Sequence, residues 1–418
     1  MTEPHPSHEE PSLADFAFPD GDDPIVPPEG FSRWMEDNAW ALSMMEPELQ
    51  GPVGPRGTIR RGGKVTEVVN LSSYNYLGLV THPEVVAAAR EALETFGTGG
   101  CGSPLLSGMN RLHAELQEKL ATWLGREDAM LFNSGFGGGM GSLAGLLRKG
   151  DVAILDAKCH LCLLDGAKLS KARVAFFDHN DPESLDAVLS QYEGKRRLVV
   201  LEGVYSMDGD TADLEKLLPV VEQHDVRVFI DEAHSILVYG ENGRGVADAH
   251  KDRIAMQYAT FSKSFAHGGG YVAGPKDTLR YMRFYTNGYG FSCTLPPVVV
   301  AGVTKALEVA TRDDSLRERL WENTNYFREQ ALGLGLNLGG STSQVLPIIV
   351  GADRRALFEM AAEMNDKGLF LAPVDYPSVP MDELRYRVAI TAAHTRADLD
   401  EALSILEDVV VRRMKAQG

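Results

Sequence analysis

The chain has 418 residues, 44% apolar and 24% charged, the balance of a soluble globular protein with one large domain and one or two smaller ones. A formal net charge of −18 argues against nucleic acid as a partner, because phosphate contacts need clustered Lys and Arg. No apolar run approaches the ~20 residues of a transmembrane segment, and Met1-Thr2-Glu3-Pro4-His5-Pro6 has no basic or apolar signal region, so the expected location is cytoplasmic.

Residues 1–30 hold eight acids, no Lys or Arg and many prolines, the composition of a flexible acidic tail. An N-terminal segment, 31–80, follows, and Phe31, Trp34, Met35, Trp40, Leu42, Met44 and Met45 space one amphipathic helix over 31–48. A large domain is expected over 81–310. Its pattern opens with a helix at Pro83–Phe96, a glycine loop and a helix from Asn110. Short apolar strands are expected at Ala129–Phe132, Val152–Leu155, Val174–Phe177, Leu198–Leu201, Val226–Ile230 and Tyr258–Phe261, separated by helical stretches such as Pro182–Tyr192. This alternation predicts an α/β fold, a mostly parallel sheet with helices on both faces. From about 311 to 418, long helical stretches alternate with strands at Val345–Val350 and Tyr386–Thr391, a smaller α+β domain.

In sheets of this kind ligands bind beyond the carboxyl ends of the strands, and Asn133, Asp156, Glu202, Asp231 and Lys263 all fall there. Ser134-Gly135 opens a helix, whose free N–H groups suit a phosphate. Asp231 ends an apolar strand, with His234 three residues on, and Lys263 follows the next strand in Thr260-Phe261-Ser262-Lys263. A strand-end acid and a lysine after the next strand point to pyridoxal 5'-phosphate (PLP): the acid keeps the pyridinium nitrogen protonated and the lysine carries the cofactor. Thr260 and Ser262 offer hydroxyls for the phosphate, and Gly268-Gly269-Gly270 would let backbone approach a flat ring.

Two patterns point elsewhere and are set aside. Gly97-Thr98-Gly99-Gly100-Cys101-Gly102 matches a dinucleotide fingerprint but follows a helix rather than a strand. Cys159-His160-Leu161-Cys162 is half a zinc site without a second half, so no metal is expected. Thr395, with Asp398 three residues later, reads as a helix N-cap.

Taken together, Ser73-Tyr74-Asn75-Tyr76-Leu77-Gly78, His113, Asn133-Ser134-Gly135-Phe136, Asp156 with His160, Glu202 through Asp210, Asp231-Glu232-Ala233-His234, Thr260 through Lys263, and Arg387 with His394-Thr395 resemble the α-oxoamine synthases. These are PLP-dependent transferases of fold type I, which include serine palmitoyltransferase, 8-amino-7-oxononanoate synthase, 5-aminolevulinate synthase and glycine C-acetyltransferase. The resemblance covers roughly residues 30 to 415. It implies Lys263 as the PLP lysine, Asp231 as partner of the pyridinium nitrogen and His160 stacked on the ring. Ser206 and His234 would lie near the ring hydroxyl, and Ser134, Gly135, Phe136 and Thr260 would contact cofactor or phosphate. Arg387 would bind the amino acid carboxylate, and Asn75 would sit close to the substrate. It further implies a homodimer with shared active sites, in which Ser292 and Thr294 of Phe291-Ser292-Cys293-Thr294 reach the neighbouring subunit's phosphate. The chain departs from the family pattern at Pro104, Leu161-Cys162, Leu237 and Cys293.

The implied reaction is a decarboxylating condensation of an amino acid with an acyl thioester, acyl-coenzyme A or acyl carrier protein, giving an α-amino ketone. Ser73 to Gly78 and Ala233-His234-Ser235 lean toward serine palmitoyltransferase and sphingolipid-like biosynthesis. The alternatives are an aminotransferase or other fold-type-I PLP enzyme, and a non-catalytic partner subunit, which the presence of Lys263 disfavours.

Overall fold

A computed structural model describes residues 13, 15–17, 21–61 and 63–417; most of the expected acidic tail lies outside the described residues. The described chain divides into two compact units. One is drawn from Met1–Ser73, Glu322–Ile390 and His394–Gly418, the other from Tyr74–Trp321 with Thr391–Ala393.

In the first unit, β1 (Glu48–Leu49), β2 (Arg56–Arg61) and β3 (Lys64–Asn70) form an antiparallel edge of a small sheet. The expected single helix over 31–48 is broken. Helices run only over Phe31–Asp37 and Ala39–Leu42, and Asn38 between them turns its side-chain amide back onto the Trp34 carbonyl at 2.9 Å. Asparagine competes with helical hydrogen bonding in this way.

The second unit is built on β4 (Asp128–Phe132), β5 (Val152–Asp156), β6 (Arg173–Phe177), β7 (Arg197–Glu202), β8 (Arg227–Asp231), β9 (Met256–Thr260) and β10 (Gly270–Gly274). They form one sheet in the order β4-β10-β9-β8-β7-β5-β6. All neighbours are parallel except β10, which is antiparallel to both β4 and β9. The fold is thus the expected mostly parallel sheet, and β10 is a strand the apolar pattern does not announce. Along β8, Val228 and Ile230 join the core on one face while Phe229 joins the core on the other. This is how a strand covered on both faces reads as a continuous apolar run. The helix Pro182–Gln191 starts where Asp181 accepts the N–H groups of Glu183 and Ser184 and Pro182 supplies a fixed φ at the first turn.

In the first unit again, β12 (Leu369–Phe370) pairs in parallel with β3. Next to it in sequence, β11 (Val345–Gly351), β13 (Pro373–Val374) and β14 (Leu384–Ala389) form an antiparallel sheet. Thr395 caps the helix Arg396–Leu406 in a reciprocal box with Asp398. Among the described residues, no helix is long and apolar enough to cross a membrane.

The glycine-rich helix Gly135–Leu146 packs closely on the helix Leu161–Leu169. A Cβ placed on Gly166 would stand 2.9 Å from the Met140 Cα, so backbone would have to move. Gly166→Ala is therefore expected to cost ~1–3 kcal/mol by overpacking, seen as a lower denaturant midpoint at unchanged slope. Gly333→Ala, at a helical glycine with nothing within 4 Å, serves as the control and should be neutral or stabilising.

Candidate active site

The carboxyl ends of β5, β7, β8 and β9 gather the charged groups of the second unit. After β9 the chain turns sharply and returns as β10. The Phe261 and His267 N–H groups donate to the Gly269 and Phe261 carbonyls, both at 2.8 Å, and Ala266 takes a left-handed φ of 63°. Lys263 sits in this turn. Gly269 (φ 104°) faces protein, and a Cβ on it would meet the Phe132 carbonyl at 2.8 Å. Its carbonyl accepts the Thr260 hydroxyl at 3.0 Å. Gly269 and Gly270 serve the β9–β10 return, whereas Gly268 has open space around it.

Asp231 and Glu202 are the last residues of β8 and β7 and stand opposite each other in register. Both are buried. Asp231 accepts the Ala233 N–H at 2.8 Å, and Glu202 accepts the His160 N–H. Burial pushes both carboxyls up in pKa, and for Glu202 the neighbouring Asp231 charge adds to it. Lys263 is their counter-charge. The protein around its amine desolvates it and pushes its pKa down, while Asp231 and then Glu202 act in the opposite sense.

Two imidazoles feel these charges, His160 and His234, and a third, His179, stands apart from them after β6. His160 caps the helix Leu161–Leu169, its Nδ1 accepting the Cys162 N–H at 3.2 Å, and its ring stands edge-on to the exposed Phe136 at 6.1 Å. Desolvation, then the Lys263 ammonium, push its pKa down, although the residue has an open side. His234 is buried, and its Nδ1 lies 2.7 Å from the Tyr76 hydroxyl. Burial first and Lys263 second hold it well below the usual histidine range, so it is neutral. His179 lies between Asp156 and Asp210. The sequence pattern does not single it out, although it follows the end of β6 as the other acids follow theirs.

On the other side of the Lys263 turn, Ser134 caps the helix Gly135–Leu146, its hydroxyl accepting the Gly137 N–H at 3.0 Å. A Cβ on Gly135 would come within 2.9 Å of the Thr260 Cβ, so glycine is needed to bring this helix start against Thr260. The Thr260 and Ser262 hydroxyls are 2.8 Å apart. Hydroxyls and a helix N-terminus therefore converge beside Lys263, the donor set a phosphate requires. With a desolvated amine, a buried acid and a neutral imidazole nearby, these residues fit PLP.

The expected phosphate contacts from Phe291-Ser292-Cys293-Thr294 look different within one chain. Ser292 accepts from the Asn133 side-chain amide at 2.5 Å. Thr294 is buried, its backbone N–H bound to Gly102 and its methyl filling the space that Cβ atoms on Gly100 and Gly108 would need. The Thr294 backbone and methyl thus anchor the glycine loop of its own chain. His113 joins the same region, its Nε2 lying 2.9 Å from the Leu295 carbonyl. Ser206 is half-buried in the loop after β7, and Asn75 is buried, its Oδ1 accepting the Val80 N–H at 3.4 Å.

Arg387 belongs to the first unit. It is half-buried on β14, and desolvation lowers its pKa to about 10. Arg385, two residues earlier, is committed elsewhere: it is buried and donates to the Glu383 carbonyl at 2.9 Å and the Glu383 carboxylate at 2.6 Å. Cys159 donates to the Val200 carbonyl at 3.4 Å, and burial pushes both the Cys159 and Cys162 thiols up. Among the described residues, no group of His, Cys, Asp and Glu is arranged to hold a metal.

The aminotransferase class I and II family model matches residues 66–406. An 8-amino-7-oxononanoate synthase of Thermoanaerobacter pseudethanolicus is 39% identical over 86% of this chain and 91% of that protein. A serine palmitoyltransferase of Sphingobacterium spiritivorum is 36% identical over 80% of this chain and 85% of that protein. Among solved structures, serine palmitoyltransferase from S. paucimobilis, with a bound PLP–myriocin aldimine, superposes with a TM-score of 0.87 at 31% identity. The match covers 93% of this chain and 98% of that one. The chain belongs to the aminotransferase class I and II family and, within it, to the PLP-dependent α-oxoamine synthases.

Proposed function

We propose that this protein condenses an amino acid with an acyl thioester, releasing carbon dioxide and giving an α-amino ketone, with Lys263, Asp231 and His160 at the reacting centre. The observation that carries the reading is the desolvated Lys263 amine set against the buried Asp231 carboxylate at the carboxyl edge of the sheet. PLP, when bound, supplies an electron sink for the carbanion formed at the amino acid's α-carbon. Lys263 carries the cofactor and, once released, moves the proton at that carbon, because burial holds its amine toward the neutral, basic form. Asp231 keeps the ring nitrogen charged. His160, held neutral, offers a flat face to the ring, with Phe136 at its edge. Ser206 and His234 lie toward the ring hydroxyl, and Ser134, Gly135, Thr260 and the partner's Ser292 segment toward the phosphate. The partner's Thr294 lies toward the same phosphate. Arg387 is the carboxylate anchor, as the resemblance implies, and Asn75 lies toward the substrate.

The finer reading is a cytoplasmic homodimer of the serine palmitoyltransferase kind, making a sphingolipid-like product. Its supports are the Tyr74-Asn75-Tyr76 and Ala233-His234-Ser235 segments and the solved serine palmitoyltransferases that share the fold. For the dimer, Leu106 and Phe291 on the loops flanking Gly102 and Thr294 are 87% and 88% exposed, an unusual cost for a monomer. The large and small domains proposed from the sequence, with the 31–80 segment, complete this picture. Adding serine, alanine and glycine in turn to the PLP-loaded protein, and following the cofactor's absorbance, tests the amino acid. A selective response to alanine or glycine overturns the serine reading and leaves the reaction class standing.

Lys263→Ala is expected to abolish condensation, and borohydride, which fixes PLP covalently to the wild type, should leave it removable from the variant. Normal turnover would show the lysine misassigned.

Asp231→Asn is expected to retain PLP but slow exchange of the amino acid's α-proton in deuterated water. A loss of roughly a hundredfold or more corresponds to about 3 kcal/mol of barrier at ~1.4 kcal/mol per tenfold. Exchange at the wild-type rate contradicts the role given to Asp231.

Arg387→Ala is expected to raise the midpoint of amino acid binding steeply, by the ~2–5 kcal/mol of a charge pair whose partner is left alone, with PLP binding intact. If Arg385→Ala has that effect instead, the carboxylate assignment is wrong.

A further inference from the structure

We propose that His179 is a positioning residue of this active site: gripped between Asp156 and Asp210, it locks the loop carrying His160 to the loop carrying Ser206. The proposal rests on the reading above, in which those two loops face the cofactor.

The geometry is specific. His179 follows the edge strand β6, and its Nδ1 lies 2.9 Å from Asp156 Oδ1 while its Nε2 lies 2.7 Å from Asp210 Oδ2. A carboxylate only accepts hydrogen bonds, so both ring nitrogens must donate, and a ring that donates twice is an imidazolium. Its charge is matched on both sides by acids, one fully buried and one half-buried. The Tyr205 ring closes one side, edge-on at 4.4 Å. Asn180 doubles the clamp, its N–H donating to Asp156 Oδ2 at 3.1 Å and its side-chain amide to the Thr211 carbonyl at 3.0 Å.

Each acid in turn shapes its own loop. Asp156 Oδ1 accepts the Lys158 N–H at 2.9 Å and its carbonyl accepts the Cys159 N–H at 3.0 Å, folding the chain just before His160. The Asp210 carbonyl accepts the Tyr205 N–H at 2.9 Å, closing the loop around Ser206. A second link, Lys158 Nζ to Asp208 at 3.1 Å, lies nearer solvent, where salt screens it. The half-buried His179 ring is thus the less exposed bridge between the two loops.

The charge gives the bridge a pH signature. His179 is raised to about 9, desolvation opposing and the two carboxylates outweighing it. A raised histidine stabilises fully below its unfolded value of ~6.5 and loses that contribution as pH rises through about 9. The titratable groups against the ring are Asp156, Asp210 and Tyr205, with Cys159 following Asp156 in the same loop. Burial pushes the Cys159 and Tyr205 groups up, away from this window.

The test titrates cofactor-free wild type and His179→Gln with PLP between pH 6.5 and 10, with thermal unfolding followed in parallel. Glutamine can still bridge but carries no charge. The expected result is weaker PLP binding by the variant at pH 7, by about tenfold, in a folded protein. That gap should close above pH 9 as the wild type loses its own charge. Asp210→Asn, which leaves the ring in place at a half-buried acid, should show the same closing gap and stands in if His179→Gln does not fold. A gap of constant size across the pH range, or equal PLP affinity with only a lower unfolding temperature, overturns the proposal. Failure of wild type to bind PLP at any pH overturns the underlying reading as well, whereas equal binding by wild type and variants overturns the bridge alone.

Discussion

A parallel sheet forces neighbouring strand ends to about 4.8 Å apart, and here two of those ends carry acids. Asp231 and Glu202 are adjacent in register and both buried. Two like charges so close and so dry cannot both stay ionised without cations to balance them. Lys263 provides one, and its own desolvation is the cost of doing so. The pyridinium nitrogen of a PLP cofactor would provide another. Burial also raises both carboxyls, Glu202 most strongly, so the pair is balanced by Lys263 together with proton uptake.

Such a cluster can persist only if the loops around it do not relax. Glu232 shows how this is arranged. It follows Asp231 but serves structure: buried, and raised to about 7 by that burial, it accepts the Val246 and Ala247 N–H groups at 3.0 and 2.7 Å as well as the Ser235 hydroxyl. A Cβ on Gly203 would stand 3.1 Å from its carboxyl carbon and one on Gly245 2.6 Å, so both glycines exist to let backbone close over the acid. Adjacent acids in Asp231-Glu232 thus divide the work, one standing beside the Lys263 charge and one holding the loop that follows. His179 does for the His160 and Ser206 loops what Glu232 does for the segment 233–247.

The strand-end rule made most of this legible. Asp156, Glu202 and Asp231 were expected near strand ends because apolar runs stop there, and the structure ends β5, β7 and β8 on those residues. The less legible parts depend on partners distant in sequence. β10 carries glycines, so its apolar pattern is weak, and only pairing with β4 and β9 makes it a strand. The two-residue β12 gains its place from β3, some three hundred residues earlier. Leu237 was noted as unusual for the family, and its left-handed φ of 63° gives the reason: glycine is at ease there, whereas leucine accepts strain of ~1–2 kcal/mol and fills a buried position. The packing of Thr294 and of Gly269 is also illegible in sequence, since it depends on which atoms a methyl or a missing Cβ meets.

The same contrast explains why the family and its chemistry can be read from the chain while its acyl substrate cannot. Groups that hold a charged cofactor are constrained by type. Only a lysine can carry PLP, only an acid can keep a ring nitrogen protonated, and strand ends fix where they stand. An acyl chain asks merely for apolar volume, which many residue combinations supply. One methylene more or less in such a pocket is worth only ~1–3 kcal/mol, and no residue type is diagnostic of it. Relatives with different names can therefore match this chain at 39% and 36% identity. Selectivity must then come from small differences in shape around a reacting centre whose electrostatics are fixed.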